Sequence, residues 1–388
     1  MLTVVRNGRL YTPDDRGIAD ILICSGSVIC MNQNLQVPAD LVTEEVDVAG
    51  KFVTPGFVDL HVHVTGGGGE GGPASRVPEL RLSEIVSSGV TSVVGLLGTD
   101  DVTRHPETLL AKTLALRKEG ISAWMLTGSY QFPQATVTGS VRKDIALIPP
   151  VLGVGEVALS DHRSSQPAYQ QFVSLVAEAR VGGLLGGKCG LVHVHMGGGE
   201  RGMEYIFRML KETEIPAGQV LPTHTGRSGV LLEQGIQLME LGGNIDLSAP
   251  GARSGSGDGL IPALERLRGA ESDLGRVTVS SDAGGSIPRF DSRGALNGMD
   301  VAGTTDLLVE YQRLVTCGEF DVCEVLPLFT SNPASRMGVH EICGCLKEGT
   351  QADLLVFNED WTIDRVYSRG KLMVRDGRPV AAGTFERL

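Results

Sequence analysis

Eight short apolar runs between residues 57 and 282 constrain this chain most: FVDLHVHV, VTSVVGL, SAWMLTG, VLGVGEVAL, GLVHVHM, QVLPTHT, NIDLSA and VTVSSD. Each reads as a strand, and amphipathic helical stretches such as HPETLLAKTLALRKEG, MEYIFRMLKETE and TTDLLVEYQRLV lie among them. Eight strands with helical crossovers predict an α/β fold, a (β/α)8 TIM-type barrel, in which the C-terminal ends of all strands meet on one face. A doubly wound open sheet accommodates the same alternation, but gives no reason for polar residues at so many strand ends. His61 and His63 end the first run, Glu156 lies in the fourth, His193 and His195 end the fifth, His224 ends the sixth and Asp282 the eighth.

The two ends of the chain have a different texture. Residues 1–52 and 343–388 alternate apolar and polar side chains over short runs separated by turns, as in LTVVRNGRLYT and ADLLVFNEDWTIDRVYSRGKLMV. Such runs read as antiparallel strands. The two ends are therefore expected to pair into one small β-sandwich domain, leaving residues 53–342 for the barrel. A length of 388 residues suits one barrel plus a smaller domain.

Composition narrows the partners. A formal net charge of −12 argues against nucleic acid or an anionic membrane, since both need clustered Lys and Arg. The start MLTVVRNGRLYTPDDRG lacks the charged, apolar and small-residue succession of a secretory leader. No apolar run approaches the ~18 residues of a membrane span, so a cytoplasmic enzyme acting on small molecules is expected. Seven cysteines, with Cys343 and Cys345 the sole close pair, show no disulfide framework or zinc-ribbon spacing, consistent with a reducing compartment.

Alternate side chains of a strand share a face, so His61 and His63 point the same way. Joined by further strand-end histidines, an acid on strand 4 and a carboxylate at strand 8, they form a set able to hold metal ions and activate water. His193 and His195 also share a face, and spacing does not choose between them. His105, His162 and His340 read as structural or surface residues.

The long motifs GFVDLHVHVTGGGGEGGP, VVGLLGTDDVTRHPETLLAKTLAL, EGISAWMLTGSYQFP, SDHRSSQP, HVHMG, LPTHTGR and SSDAGGS resemble the amidohydrolase superfamily and, within it, the isoaspartyl dipeptidases. That resemblance implies two divalent metal ions, expected to be zinc, sharing a hydroxide. It assigns His61, His63 and Asp282 to one ion and His195 and His224 to the other, with Asp282 also the general acid/base. It favours His195 over His193. Where the family usually carries a carboxylated lysine that bridges the metals, this chain has Glu156. A carboxylate can bridge two ions with the same charge, but its arm is shorter, so the backbone must come closer or the bridge becomes asymmetric. Gly155 is suited to allow a close approach.

The resemblance further implies dipeptide contacts from Gly68, Glu70, Thr99, Tyr130, Arg163, Arg227 and Ser286. Glu70 suits an α-ammonium, the arginines suit carboxylates, and Tyr130 can donate to a developing oxyanion. The implied reaction is hydrolysis of β-aspartyl dipeptides to aspartate and an amino acid. Another amidohydrolase, acting on a cyclic amide or an N-acyl amino acid, is the related alternative. A non-catalytic assembly protein on the same fold is the alternative from a different class. A homo-oligomer is expected by resemblance alone.

Overall fold

The computed structural model describes residues 2–38, 40–251, 258–290 and 296–388. Eight parallel strands form the barrel, here β1 (Phe57–Val62), β2 (Val90–Gly95), β3 (Ser122–Thr127), β4 (Val151–Leu159), β5 (Leu191–Met196), β6 (Val220–Thr223), β7 (Ile245–Ser248) and β8 (Val277–Ser280). Strands β1 to β6 run as one ladder in sequence order, and β7 pairs with β8 from Ile245 opposite Val277 to Ser248 opposite Ser280. A parallel bridge between Val62 and Ala283 brings the end of β8 back to β1.

The seam between β6 and β7 is held by side chains. Thr223 Oγ1 donates to Asp246 Oδ2 at 2.7 Å, and Thr225 Oγ1 donates to the Asp246 carbonyl at 2.8 Å. All residues of β1 to β6 are buried, as strands covered on both faces require. Helices Pro106–Glu119, Glu204–Glu212 and Thr305–Thr316 coincide with the helical stretches expected from the sequence. No described helix is long and apolar enough to cross a membrane.

The chain ends meet in a nine-stranded sheet. Its joint is the antiparallel pairing of Phe52–Pro55 with Leu354–Phe357, which places N-terminal and C-terminal strands side by side. Strand Phe52–Pro55 crosses the boundary expected after residue 52, because the ladder continues through Pro55. Alternation along Leu354–Phe357 divides the burial. Leu354 and Val356 join Val5, Ile21 and Val53 in a core belonging to the sheet, while Leu355 and Phe357 join the large core shared with the barrel. Phe52 stacks on Trp361 at 4.4 Å between centroids, and Tyr311 lies against Phe57 and Phe357 at 5.0 and 5.6 Å. This aromatic contact joins sheet to barrel.

An antiparallel hairpin, Ser286–Phe290 with Leu296–Val301, follows β8. The sequence reading had no strand there. SIPRF and LNGMDV are short and mix polar with apolar residues, so neither carries a periodic signal. Its first residue, Ser286, stands at the rim of the site.

Candidate active site

The C-terminal ends of five barrel strands deliver the buried polar cluster. His61 is the fifth residue of β1 and His63 follows that strand, Glu156 belongs to β4, His195 to β5, and His224 directly follows β6. Asp282 lies two residues beyond β8. His224 and Asp282 have left-handed backbones, with φ of 60° and 58°. Such a conformation costs a non-glycine residue ~1–3 kcal/mol and is often found where a functional side chain must be aimed.

Glu156 lies at the centre, with its two oxygens turned to different partners. Oε1 is 2.7 Å from His195 Nδ1 and 3.2 Å from His224 Nε2. Oε2 is 3.4 Å from His61 Nε2 and 3.7 Å from His63 Nε2. Asp282 Oδ1 completes the second group, 3.3 Å from His61 Nε2 and 3.2 Å from His63 Nε2. The shorter arm thus reaches both groups, unevenly. Gly155 allows the approach, since a Cβ there would lie 2.6 Å from the His193 carbonyl oxygen.

His193 lies behind the centre. Its Nε2 is 2.9 Å from His61 Nδ1, leaving His61 Nε2 for the cluster. His224 is fixed in the same manner, with Nδ1 at 2.5 Å from Ser248 Oγ.

A cleft of about 640 Å³ opens in front of this cluster. All seven residues implied as substrate contacts line it: Gly68, Glu70, Thr99, Tyr130, Arg163, Arg227 and Ser286. Tyr130 Oη is 2.7 Å from His195 Nδ1, at the edge of the cluster. Glu70 accepts from Ser286 Oγ at 2.9 Å and from Arg163 Nη1 at 3.3 Å. Arg163 also grips Asp161 through two nitrogens at 3.0 Å each. Asp161 escaped the sequence reading although it lies two residues before Arg163 in SDHR. His162, read as structural or surface, is exposed and lines the cleft, as do Ile287 and Met299 of the hairpin. His105 and His340 are exposed.

The glycine run has a structural reason besides the cleft. A Cβ on Gly66 would lie 2.0 Å from the Val77 carbonyl oxygen, and one on Gly68 would lie 2.4 Å from that of Ser75. Both have φ of 76°, so the loop folds back on itself only with glycine there.

Residues 52–373 match the profile of the amidohydrolase family. The chain belongs to that family. The β-aspartyl dipeptidase of Fervidobacterium islandicum AW-1, solved in complex with β-Asp-Leu, is 39% identical, with 98% of each chain covered and a TM-score of 0.90. A second structure of the dipeptidase from that organism is 38% identical at a TM-score of 0.87. A dihydroorotase of Ligilactobacillus salivarius is 23% identical over 98% of this chain and 99% of its own. The expected resemblance to isoaspartyl dipeptidases therefore holds over nearly the whole length.

Whether this amidohydrolase site fits metal ions is decided by its lone pairs. If His61 and His224 donate from Nδ1 to His193 and Ser248, each keeps an Nε2 lone pair aimed at an oxygen of Glu156. Acceptors then face acceptors, and His61 Nε2 and Glu156 Oε2 are buried without hydrogen-bond partners. Buried polar atoms rarely stay unpaired. Ligand atoms bound at ~2.0–2.2 Å around one cation lie about 3 to 3.5 Å apart, close to the spacings in both groups. Among the described residues four groups of His and carboxylate atoms are close enough to hold an ion, and two of them, His61–His63–Glu156 and Glu156–His195–His224, share Glu156.

The electrostatics agree. Burial pushes the Glu156 carboxyl up, but His61 and His195 outweigh it and hold the group well below its usual range. Asp282 is lowered likewise, burial being overcome by His61 and His63. Burial, reinforced by His195, depresses His224 to about 3, keeping its lone pair free near neutral pH. His61 is drawn the other way: burial lowers it, but Glu156 and Asp282 hold it well above the ordinary histidine value. The two carboxylates thus demand positive charge at their centre, which a divalent cation supplies in place of that proton.

Proposed function

We propose that the chain hydrolyses the β-peptide bond of β-aspartyl dipeptides, releasing aspartate and an amino acid. The observation that carries this reading is one cleft holding both the His and carboxylate cluster and, at its rim, Glu70 beside Arg163 and Ser286. A carboxylate and a guanidinium suit a zwitterion with an ammonium and carboxylates at separate ends. The likeness to a dipeptidase solved with β-Asp-Leu supports the same choice.

The residues that would hold two divalent ions are His61, His63 and Asp282 on one side and His195 and His224 on the other, joined by Glu156. Nitrogen and oxygen donors of this kind suit zinc. Bound there, such ions lower the pKa of water toward neutrality and polarise a carbonyl. Asp282, ionised and facing the cleft, accepts the proton of the attacking water and returns it to the leaving nitrogen as the C–N bond breaks. Tyr130 donates to the carbonyl oxygen as negative charge develops on it. Burial, then Glu156, raises the Tyr130 phenol well above its usual value, so it stays protonated as a donor must. Glu70 receives the α-ammonium, and Arg163 and Arg227 hold carboxylates.

The test is a panel of β-Asp-Leu, α-Asp-Leu, an N-acyl amino acid and dihydroorotate, with bound metal measured on the same sample. Release of aspartate from β-Asp-Leu alone is expected. Turnover of dihydroorotate without dipeptide cleavage would transfer the reading to the activity for which the 23% identical relative is named. Absence of both metal and turnover would favour an assembly protein.

A further inference from the structure

Asp161 has no place in the ligand set or among the implied substrate contacts, yet it is 7% exposed and sits between two residues that do. Its Oδ2 lies 3.0 Å from His195 Nε2 and accepts from Arg163 Nη2 at 3.0 Å. Its Oδ1 accepts from the Arg163 backbone N–H at 2.8 Å and from Arg163 Nε at 3.0 Å.

We infer that Asp161 is the positioning residue of His195, fixing which ring nitrogen faces the metal centre. An imidazole that donates N–H to Asp161 from Nε2 must carry its lone pair on Nδ1, which is the atom 2.7 Å from Glu156 Oε1 and 3.0 Å from His224 Nε2. With the other tautomer, an N–H would point into the ligand group and a lone pair would face the Asp161 carboxylate. A neighbouring carboxylate also makes the imidazole a stronger donor to a cation. Arg163 grips both oxygens of Asp161, and its Nη2, which donates to Asp161 Oδ2, also lies 3.2 Å from His195 Nε2, so the chain Glu70–Arg163–Asp161–His195–Glu156 is continuous from the cleft rim to the centre. His224 reaches the same end through a different device, Ser248. Asp161 therefore acts on the His195–His224 side only. The inference rests on the two-metal reading, not on the identity of the substrate.

The experiment uses zinc-loaded protein and two substitutions. Asp161→Asn keeps the shape and one acceptor oxygen, whereas Asp161→Ala removes both. Expected are two zinc ions per chain in the parent, a ~10–100-fold weaker second zinc in Asp161→Ala by chelator competition, and partial recovery in Asp161→Asn, while the first zinc is unchanged. In protein carrying ¹⁵N-labelled histidine, the parent His195 signals should show N–H at Nε2, and Asp161→Ala should lose that single tautomer. Equal affinity for the second zinc in parent and both variants, or a His195 tautomer that does not depend on Asp161, would overturn the inference. If Asp161→Ala does not fold, Asp161→Asn decides, and an unweakened second zinc there overturns it. A parent that binds no zinc at all refutes the two-metal reading beneath it, a result separable from either variant outcome.

Discussion

At the scale of single residues, the account turns on Glu156. On the proposed two-metal reading, Glu156→Gln retains the outline of the bridge but removes its charge, and should weaken zinc by more than the ~10–100-fold of a lost outer hydrogen-bond partner and carry activity down with it, measured by metal analysis and turnover. On the proposed assignment Glu156 bridges without CO₂, so protein stripped and reloaded with zinc should recover equally with and without bicarbonate. Recovery that requires bicarbonate would contradict the assignment. Tyr130→Phe should lower kcat by ~10²–10³-fold while changing KM little, since in the proposed mechanism the phenol acts on charge that develops after binding. The convergence of His61, His63, Glu156, His195, His224 and Asp282 was legible in the sequence because barrel topology sends strand ends to one face. Asp161 and His193 were not legible as partners of His195 and His61, because an outer hydrogen bond obeys no spacing rule.

At the scale of elements, the eight strand segments were readable from their apolar runs, and strand 4 coincides in full with Val151–Leu159. The hairpin after β8 was not, since its pairing is fixed by a partner strand and carries no periodicity of its own. The terminal sheet offers a test remote from the site. Asp353, next to strand Leu354–Phe357, is fully buried and burial pushes its carboxyl up to about 7. Unfolded, the group titrates near ~3.9. Between these values the folded chain holds a proton that the unfolded chain has released. This contribution is therefore fully present below about pH 4 and is lost as pH rises through 7. Asp353→Asn leaves an oxygen to accept from Ser368 Oγ and the Arg369 N–H, the two partners of Oδ1. Denaturant titrations should show the variant gaining on the parent by on the order of 2 to 4 kcal/mol at pH 9 relative to pH 5. Parallel stability profiles would refute the buried neutral acid.

At the scale of the whole molecule, sheet and barrel share the aromatic contact of Phe52, Trp361, Tyr311, Phe57 and Phe357, so they should unfold together. Trp361→Ala should cost about 3 to 5 kcal/mol and lower a single transition instead of splitting it, as calorimetry would show. Removing metal should lower that same transition, because ions that bind only the folded chain stabilise it by mass action. The union of the chain ends was legible from their shared alternation. The strand at which they join was not, because Phe52–Pro55 continues into the first barrel run with one glycine between. The most direct measurement of the central claim is the ratio of kcat/KM for β-Asp-Leu to that for α-Asp-Leu on protein holding two zinc ions per chain. A ratio above ~100, about 2.7 kcal/mol of discrimination, is predicted. Equal cleavage of the two, or cleavage of neither, would contradict it.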